Sequence, residues 1–207
     1  MNFLDKSTRL DIGYATHQCA RFSVNPKDSH AKAVKYIGLY LKVTKDKGLI
    51  LDPKDYYFDD WVGADHSGNW KVSESEDDPA TAKYRTGYVI TYAKCPIVWH
   101  SKLQGEIALS ITEAELISLS ESTRDVIPLM GLTEEVQSQI FSAPTTKPTV
   151  HCKIFEDNSG ALEIAKVPKM RSRTKHTNLR RPFTSMTNSP YILKSPMLRR
   201  SSTLVDI

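Results

Sequence analysis

The sequence predicts a mixed α/β fold: a sheet flanked by helices, preceded by a short helical segment. Three observations lead there. Residues 9–48 carry apolar side chains at helical spacing, and 56–101 hold three runs rich in β-branched and aromatic residues. From 110 onward, helical stretches give way to one more strand–helix pair. Three strands, two helices, a strand and a helix form a mixed order, not a repeat array.

At the front, Leu10–Phe22 reads as one helical segment, broken at Asn25-Pro26. A second runs from His30 to Val43, capped by Asp28 or Ser29, with Ala33, Tyr36, Ile37, Tyr40 and Leu41 at helical spacing. Gly48 suits a stop after it. Tyr56–Val62, Thr86–Tyr92 and Ile97–Ser101 are the first three expected strands, with Lys94-Cys95-Pro96 as the turn between the last two. Helices follow at 111–124 and 126–140, Pro128 falling in the first turn of the second. Val150–Phe155 is the fourth strand, and a short helix covers Ser159–Lys166. Beyond about residue 179 neither period is sustained, and 180–207 reads as an irregular tail.

The length of 207 residues suffices for one domain with an appendage, without covalent staples. Three widely spaced cysteines fit neither a disulfide framework nor a zinc site and suggest a reducing compartment. No apolar run approaches the ~20 residues of a membrane span. The charged start, Met1–Lys6, is unlike a signal peptide, so the expected location is intracellular, cytoplasmic or nuclear. Of the net charge of +4, residues 166–207 carry +9 and the first 165 carry −5. Such a basic end attracts nucleic acid by neutralising phosphates, and equally suits a solvated tail.

Two acidic signatures carry the chemistry. In Ser110-Ile-Thr-Glu113 the serine and glutamate form a capping box, which gives Glu113 a structural role. Glu115 falls beside Leu119, with the small Ser118 and Ser122 on the same side, where an acid is costly unless paired or metal-bound. The helix dipole alone would also favour an acid there. Asp157 ends the strand Val150–Phe155, a position where ligand sites of open α/β sheets gather. Asp157, Asn158 or Ser159 could equally cap the following helix. Carboxylates from a helix and a strand end converging on one spot suit Mg²⁺ held against a phosphate. On the first strand, Asp59 and Asp60 precede an apolar pair and are expected to face solvent.

Thr86–Tyr92, Val98-Trp-His-Ser-Lys-Leu-Gln104, Thr112-Glu-Ala-Glu-Leu116, Phe155-Glu-Asp-Asn158 and Arg173-Thr-Lys-His176 together resemble the ribonuclease H domain of copia-type retrotransposon Pol polyproteins. Asp11–Phe22 and Ala33–Leu41 resemble the helical end of the reverse transcriptase that precedes it. The resemblance implies three parts: 1–50 as the reverse transcriptase remnant, 56–179 as the ribonuclease H-like domain, and 180–207 as a tail out of frame or fused. It implies a five-stranded sheet and cleavage of the RNA strand of RNA–DNA hybrids. Two Mg²⁺ ions would be held by four carboxylates, with Glu115 and Asp157 among them. Lys169, Arg171, Arg173, Lys175 and His176 would then hold phosphates of the hybrid.

The chain departs from the family twice. The family's first strand reads Asp-Ala-Asp, and its leading acid falls on Gly63. Asp65 shares that face but lies about 6.6 Å further along an extended strand, a shift large against metals ~4 Å apart. It is therefore a weak substitute ligand. The family's closing motif with a fourth carboxylate does not follow Asn178, and Asp206 does not match it. The carboxyl end is expected to be incomplete and the nuclease degenerate. The alternative is an inactive remnant that at most binds nucleic acid weakly. Trp61, Trp70 and Trp99 are expected in the core, and the cut-off helical front end should leave apolar surface exposed.

Overall fold

The architecture is taken from a computed structural model, which describes residues 1–65, 78–141, 150–166 and 191–194. The front end forms α1 (Asn2–Ser7), a single 3₁₀ turn (Leu10–Ile12), α2 (Gly13–Ala20) and α3 (Asp28–Val43). The sheet strands are β1 (Phe58–Asp65), β2 (Arg85–Tyr92), β3 (Cys95–Leu103), β4 (Cys152–Phe155) and β5 (Tyr191–Lys194). Between them run α4 (Ile111–Phe141) and α5 (Ser159–Lys166). The sheet order is β3-β2-β1-β4-β5. β1, β2 and β3 are antiparallel neighbours, while β4 runs parallel to β1 and β5 parallel to β4. A mixed sheet flanked by helices is the fold class that the sequence predicts.

Alternation along β1 sends Phe58, Asp60, Val62 and Ala64 toward α4, and Asp59, Trp61, Gly63 and Asp65 to the other face. Phe58, Ile90, Cys152 and Ile154 from the sheet meet Leu119, Val126 and Met130 of α4 and Ala165 of α5 in the main core. Tyr84, Ala108, Ala114 and Ile117 form a second cluster at the start of α4, with Ala64 packed against it.

Several local expectations are corrected. Asp59 and Asp60 are both buried, not solvent-facing. Asp60 is accommodated by the Ser122 hydroxyl and Asp59 by the Lys94 ammonium, partners that stand 62 and 35 residues away in sequence. The β2–β3 turn is Ala93-Lys94, both at positive φ (55° and 70°), as a two-residue hairpin turn requires. Cys95 and Pro96 already belong to β3, and a bulge between Ile90 and Thr91 admits the proline opposite Thr91. The two helices expected at 111–124 and 126–140 are one helix of 31 residues with Pro128 inside it. An internal proline costs ~3 kcal/mol, but Val126 and Met130 on either side of it belong to the same core as Leu119, which holds the axis together. β5 lies in the segment read as irregular; four residues of parallel pairing leave no periodic signature.

The front end docks on the sheet rather than hanging from it. Trp99 Nε1 donates to the Asp5 carbonyl (2.6 Å), and the Arg85 guanidinium lies over the Tyr14 ring (4.8 Å). Arg9 reaches Asp11 (2.7 Å) and the Thr44 hydroxyl (2.7 Å), tying α3 to the turn before α2. Tyr36, Leu39, Tyr40 and Val43 stay exposed along one stripe of α3, as expected of this segment. Among the described residues, no helix is long and apolar enough to cross a membrane.

Candidate metal centre

The sequence dictates how each carboxylate arrives. Ser110 caps α4: the Glu113 N–H donates to Ser110 Oγ (3.1 Å), and the Glu113 carboxylate accepts from the Leu109 N–H (2.8 Å). The Ser110 half of the capping box forms as expected, while the Glu113 carboxylate reaches back one residue further, to Leu109, and is occupied there. Glu115, two residues on, turns inward and is 5% exposed. The backbone N–H of Ala64 on β1 donates to it, while its Oε2 has no hydrogen-bond partner among the described residues.

After β4 the helix cap is Asn158, whose Oδ1 accepts from the Ala161 N–H (3.0 Å). Capping therefore does not require Asp157, which stands exposed at the strand end. Gly160 permits a close approach here: a Cβ on it would lie 3.2 Å from Thr112 Oγ1, at the start of α4. The tight contact between the first turns of α5 and α4 brings Asp157 toward Glu115.

Glu115, Glu156 and Asp157 form one group, each offering a carboxylate oxygen within 4.8 Å of the others. Glu156 belongs to the Phe155–Asn158 motif, whose expected ligand is Asp157 alone. Alternation could have singled it out, because residue 156 follows Cys152 and Ile154 on the core side of β4. It is fully buried; its Oε1 accepts from the Asn158 N–H (2.9 Å) and its Oε2 has no partner among the described residues.

Burial and mutual repulsion show in the acidities. Desolvation, then the nearby Asp157 charge, push Glu115 up to about 7, against the opposing Ala64 hydrogen bond. Desolvation pushes Glu156 up to about 8, with Glu115 and Asp157 adding to it and the Asn158 N–H opposing. Buried oxygens without donors, clustered beyond what like charges tolerate, suit a hard divalent cation with oxygen ligands. The donor set fits Mg²⁺.

Asp65 is not in this group. It lies exposed at the end of β1, paired across the sheet with Arg85. Lys169, Arg171, Arg173, Lys175, His176, Trp70 and Asp206 lie outside the described residues. Trp61, expected in the core, is 46% exposed on the face away from α4 and stacks on Phe155 with ring centroids 4.1 Å apart.

The chain is 32% identical over 173 residues to the retrovirus-related Pol polyprotein from transposon TNT 1-94 of Nicotiana tabacum, a match covering 84% of this chain and 12% of that polyprotein. It is similar to one stretch of retrovirus-related Pol polyproteins from transposons. The polyprotein from transposon RE2 of Arabidopsis thaliana is 30% identical over 178 residues, covering 83% of this chain and 11% of the polyprotein. The chain thus spans about a tenth of the length of these Pol relatives. A secreted RxLR effector protein of Plasmopara viticola is 28% identical over 136 residues, which is 63% of this chain and 86% of the effector. No family model matches the chain. No solved structure matches it either.

Proposed function

We propose that this chain is a ribonuclease H-like domain that holds Mg²⁺ between Glu115 and Asp157, binds RNA–DNA hybrids, and cuts the RNA strand only weakly. The observation that carries this reading is the convergence of Glu115 and Asp157, from a helix start and a strand end, on one buried acidic spot. When bound, the cation supplies Lewis-acid stabilisation of the phosphoryl oxygens. The chain's own part is to hold it: α4 brings Glu115, and the β4–α5 turn brings Asp157.

Cleavage is attenuated because β1 contributes no carboxylate at this level. Gly63 stands where the family resemblance requires an acid, and Asp65 is directed to the Arg85 end of the sheet. The basic residues Lys169, Arg171, Arg173, Lys175 and His176 hold the hybrid through its phosphates, which confers affinity without sequence preference. Selectivity for the RNA strand rests on its 2′-hydroxyls and the shape of the hybrid. In the polyprotein the partner is the preceding reverse transcriptase, of which residues 1–50 are the end.

The test is cleavage of a labelled RNA–DNA hybrid in Mg²⁺ by the full chain, Gly63→Asp and Asp157→Asn. Weak cutting that rises in Gly63→Asp and vanishes in Asp157→Asn is expected. Wild-type cutting that survives Asp157→Asn overturns the reading.

A further inference from the structure

β1 and β4 pair in parallel from Phe58↔Cys152 to Trp61↔Phe155, and continuing that register by two residues sets Gly63 level with Asp157. A Cβ at Gly63 would meet no atom of the described residues within 4 Å, so among them the space where a β1 side chain would stand is open. At this level β1 therefore offers the carboxylate cluster no side-chain ligand, only the Ala64 N–H that holds Glu115.

Glu156 has gained a position that packing alone does not account for. Its side chain is fully buried, and the Asn158 N–H fastens Oε1 while Oε2 has no donor among the described residues. An unpartnered buried carboxylate oxygen costs free energy that a methyl group of similar shape would not. Glu156 nonetheless offers a carboxylate oxygen within 4.8 Å of ones from Glu115 and Asp157, and Glu115 Oε2 is likewise buried and, among the described residues, unpartnered. Two buried oxygens from two elements, next to an exposed third carboxylate, make an oxygen donor set of the kind a hard cation takes.

We propose that Glu156 is the third carboxylate ligand of the cation, so that the centre draws on α4 once and on the end of β4 twice, with nothing from β1. The inference rests on the proposed Mg²⁺ site and deepens it: cation binding survives the loss at Gly63 through a ligand from the adjacent strand. One relocated ligand restores charge compensation for a single cation, whereas a two-metal clamp needs carboxylates on both sides.

The test is Mn²⁺ binding to the full chain, followed by electron paramagnetic resonance at mildly alkaline pH, for wild type, Glu156→Gln and Asp157→Asn. Wild type is expected to bind Mn²⁺, and both variants to lose at least about tenfold in affinity, the scale on which even outer-shell partners of a metal act. Glu156→Gln binding as wild type does, with Asp157→Asn impaired, overturns the role of Glu156 and leaves the parent reading standing. Absence of binding by wild type overturns both. Circular dichroism reports whether the variants fold. If Glu156→Gln does not, Glu156→Asp, one methylene shorter with its charge kept, decides: weakened binding supports the proposal and unchanged binding overturns it.

Discussion

The Ser122 hydroxyl on α4 donates to the carboxylate of Asp60 on β1, in a contact sealed from solvent on both sides. It is the sole partner of that carboxylate among the described residues, and Asp60 Oδ1 has none. Burial drives Asp60 up to about 7, the nearby Asp125 charge adds to the effect, and the Ser122 hydrogen bond opposes it.

The consequence for stability has a definite sign. Near pH 4 and below, folded and unfolded chains both hold the proton. Between about pH 4 and 7 the unfolded chain releases it while the folded chain keeps it, so stability falls as pH rises and levels off above 7. At 1.36 kcal/mol per unit, the shift at this site amounts to roughly 4 kcal/mol. Asp60→Asn should therefore melt close to wild type near pH 4 and well above it at pH 8. Glu115 and Glu156 shift in the same direction, so the difference between variant and wild type isolates Asp60. Thermal melts across that range check it; a gap that does not change with pH would refute the assignment.

Asp60 also marks the limit of what local sequence discloses. The strand–helix unit Cys152–Lys166 was legible because an apolar run, a capping residue and a helical period follow one another directly. Glu113 separates from Glu115 in the sequence because the Ser110–Glu113 pairing is local, whereas the cap after β4 stays open there among Asp157, Asn158 and Ser159, and only the Asn158 Oδ1–Ala161 bond decides it. Asp60 was misread because its partner arrives from 62 residues downstream. The two-helix reading of α4 failed for a related reason: Pro128 argues for a break locally, and only the core common to Leu119, Val126 and Met130 argues against it. Glu156 was overlooked beside a residue with an evident role, although strand alternation already set it on the core side.

Lys94 combines two opposed local effects. Its φ of 70° is unfavourable for a residue with a Cβ, yet its ammonium pairs with the buried Asp59 and with Asp55 at 3.5 Å. Lys94→Ala loses the ion pair and keeps the strained backbone. Lys94→Gly loses the same pair and relieves the backbone by about 1 kcal/mol. Both variants should be destabilised, because Asp59 is left buried without its charge partner, and Lys94→Gly should be the milder by about that margin. Urea unfolding of the pair gives the answer; equal stabilities would mean that the positive φ carries no cost here.

The junction between α2 and the sheet offers a charge that can be removed without touching the metal centre. Arg85 is buried, its Nη1 faces His17 Nδ1 (3.1 Å) and Ser101 Oγ (3.3 Å), and its Nη2 has no partner among the described residues. His17 can accept from the guanidinium only while neutral. Desolvation first, then the charges of Arg85, Arg21, Lys6 and His100, hold its pKa below the ordinary histidine value. A depressed histidine gives stability that is full above the unfolded pKa of ~6.5 and is lost as pH falls, because the unfolded chain takes up the proton first. Arg85→Met removes the nearest of these charges while keeping an unbranched chain in the space. The His17 pKa should then rise toward the ordinary value without reaching it, since desolvation, the larger cause, remains. Replacing a buried charge with an apolar chain of similar length is often neutral or stabilising, so the variant should stay folded and lose less stability on acidification than wild type. Following the His17 ring resonances against pH, assigned with His17→Gln, measures the shift directly. An unchanged His17 pKa in Arg85→Met would show that burial alone sets it.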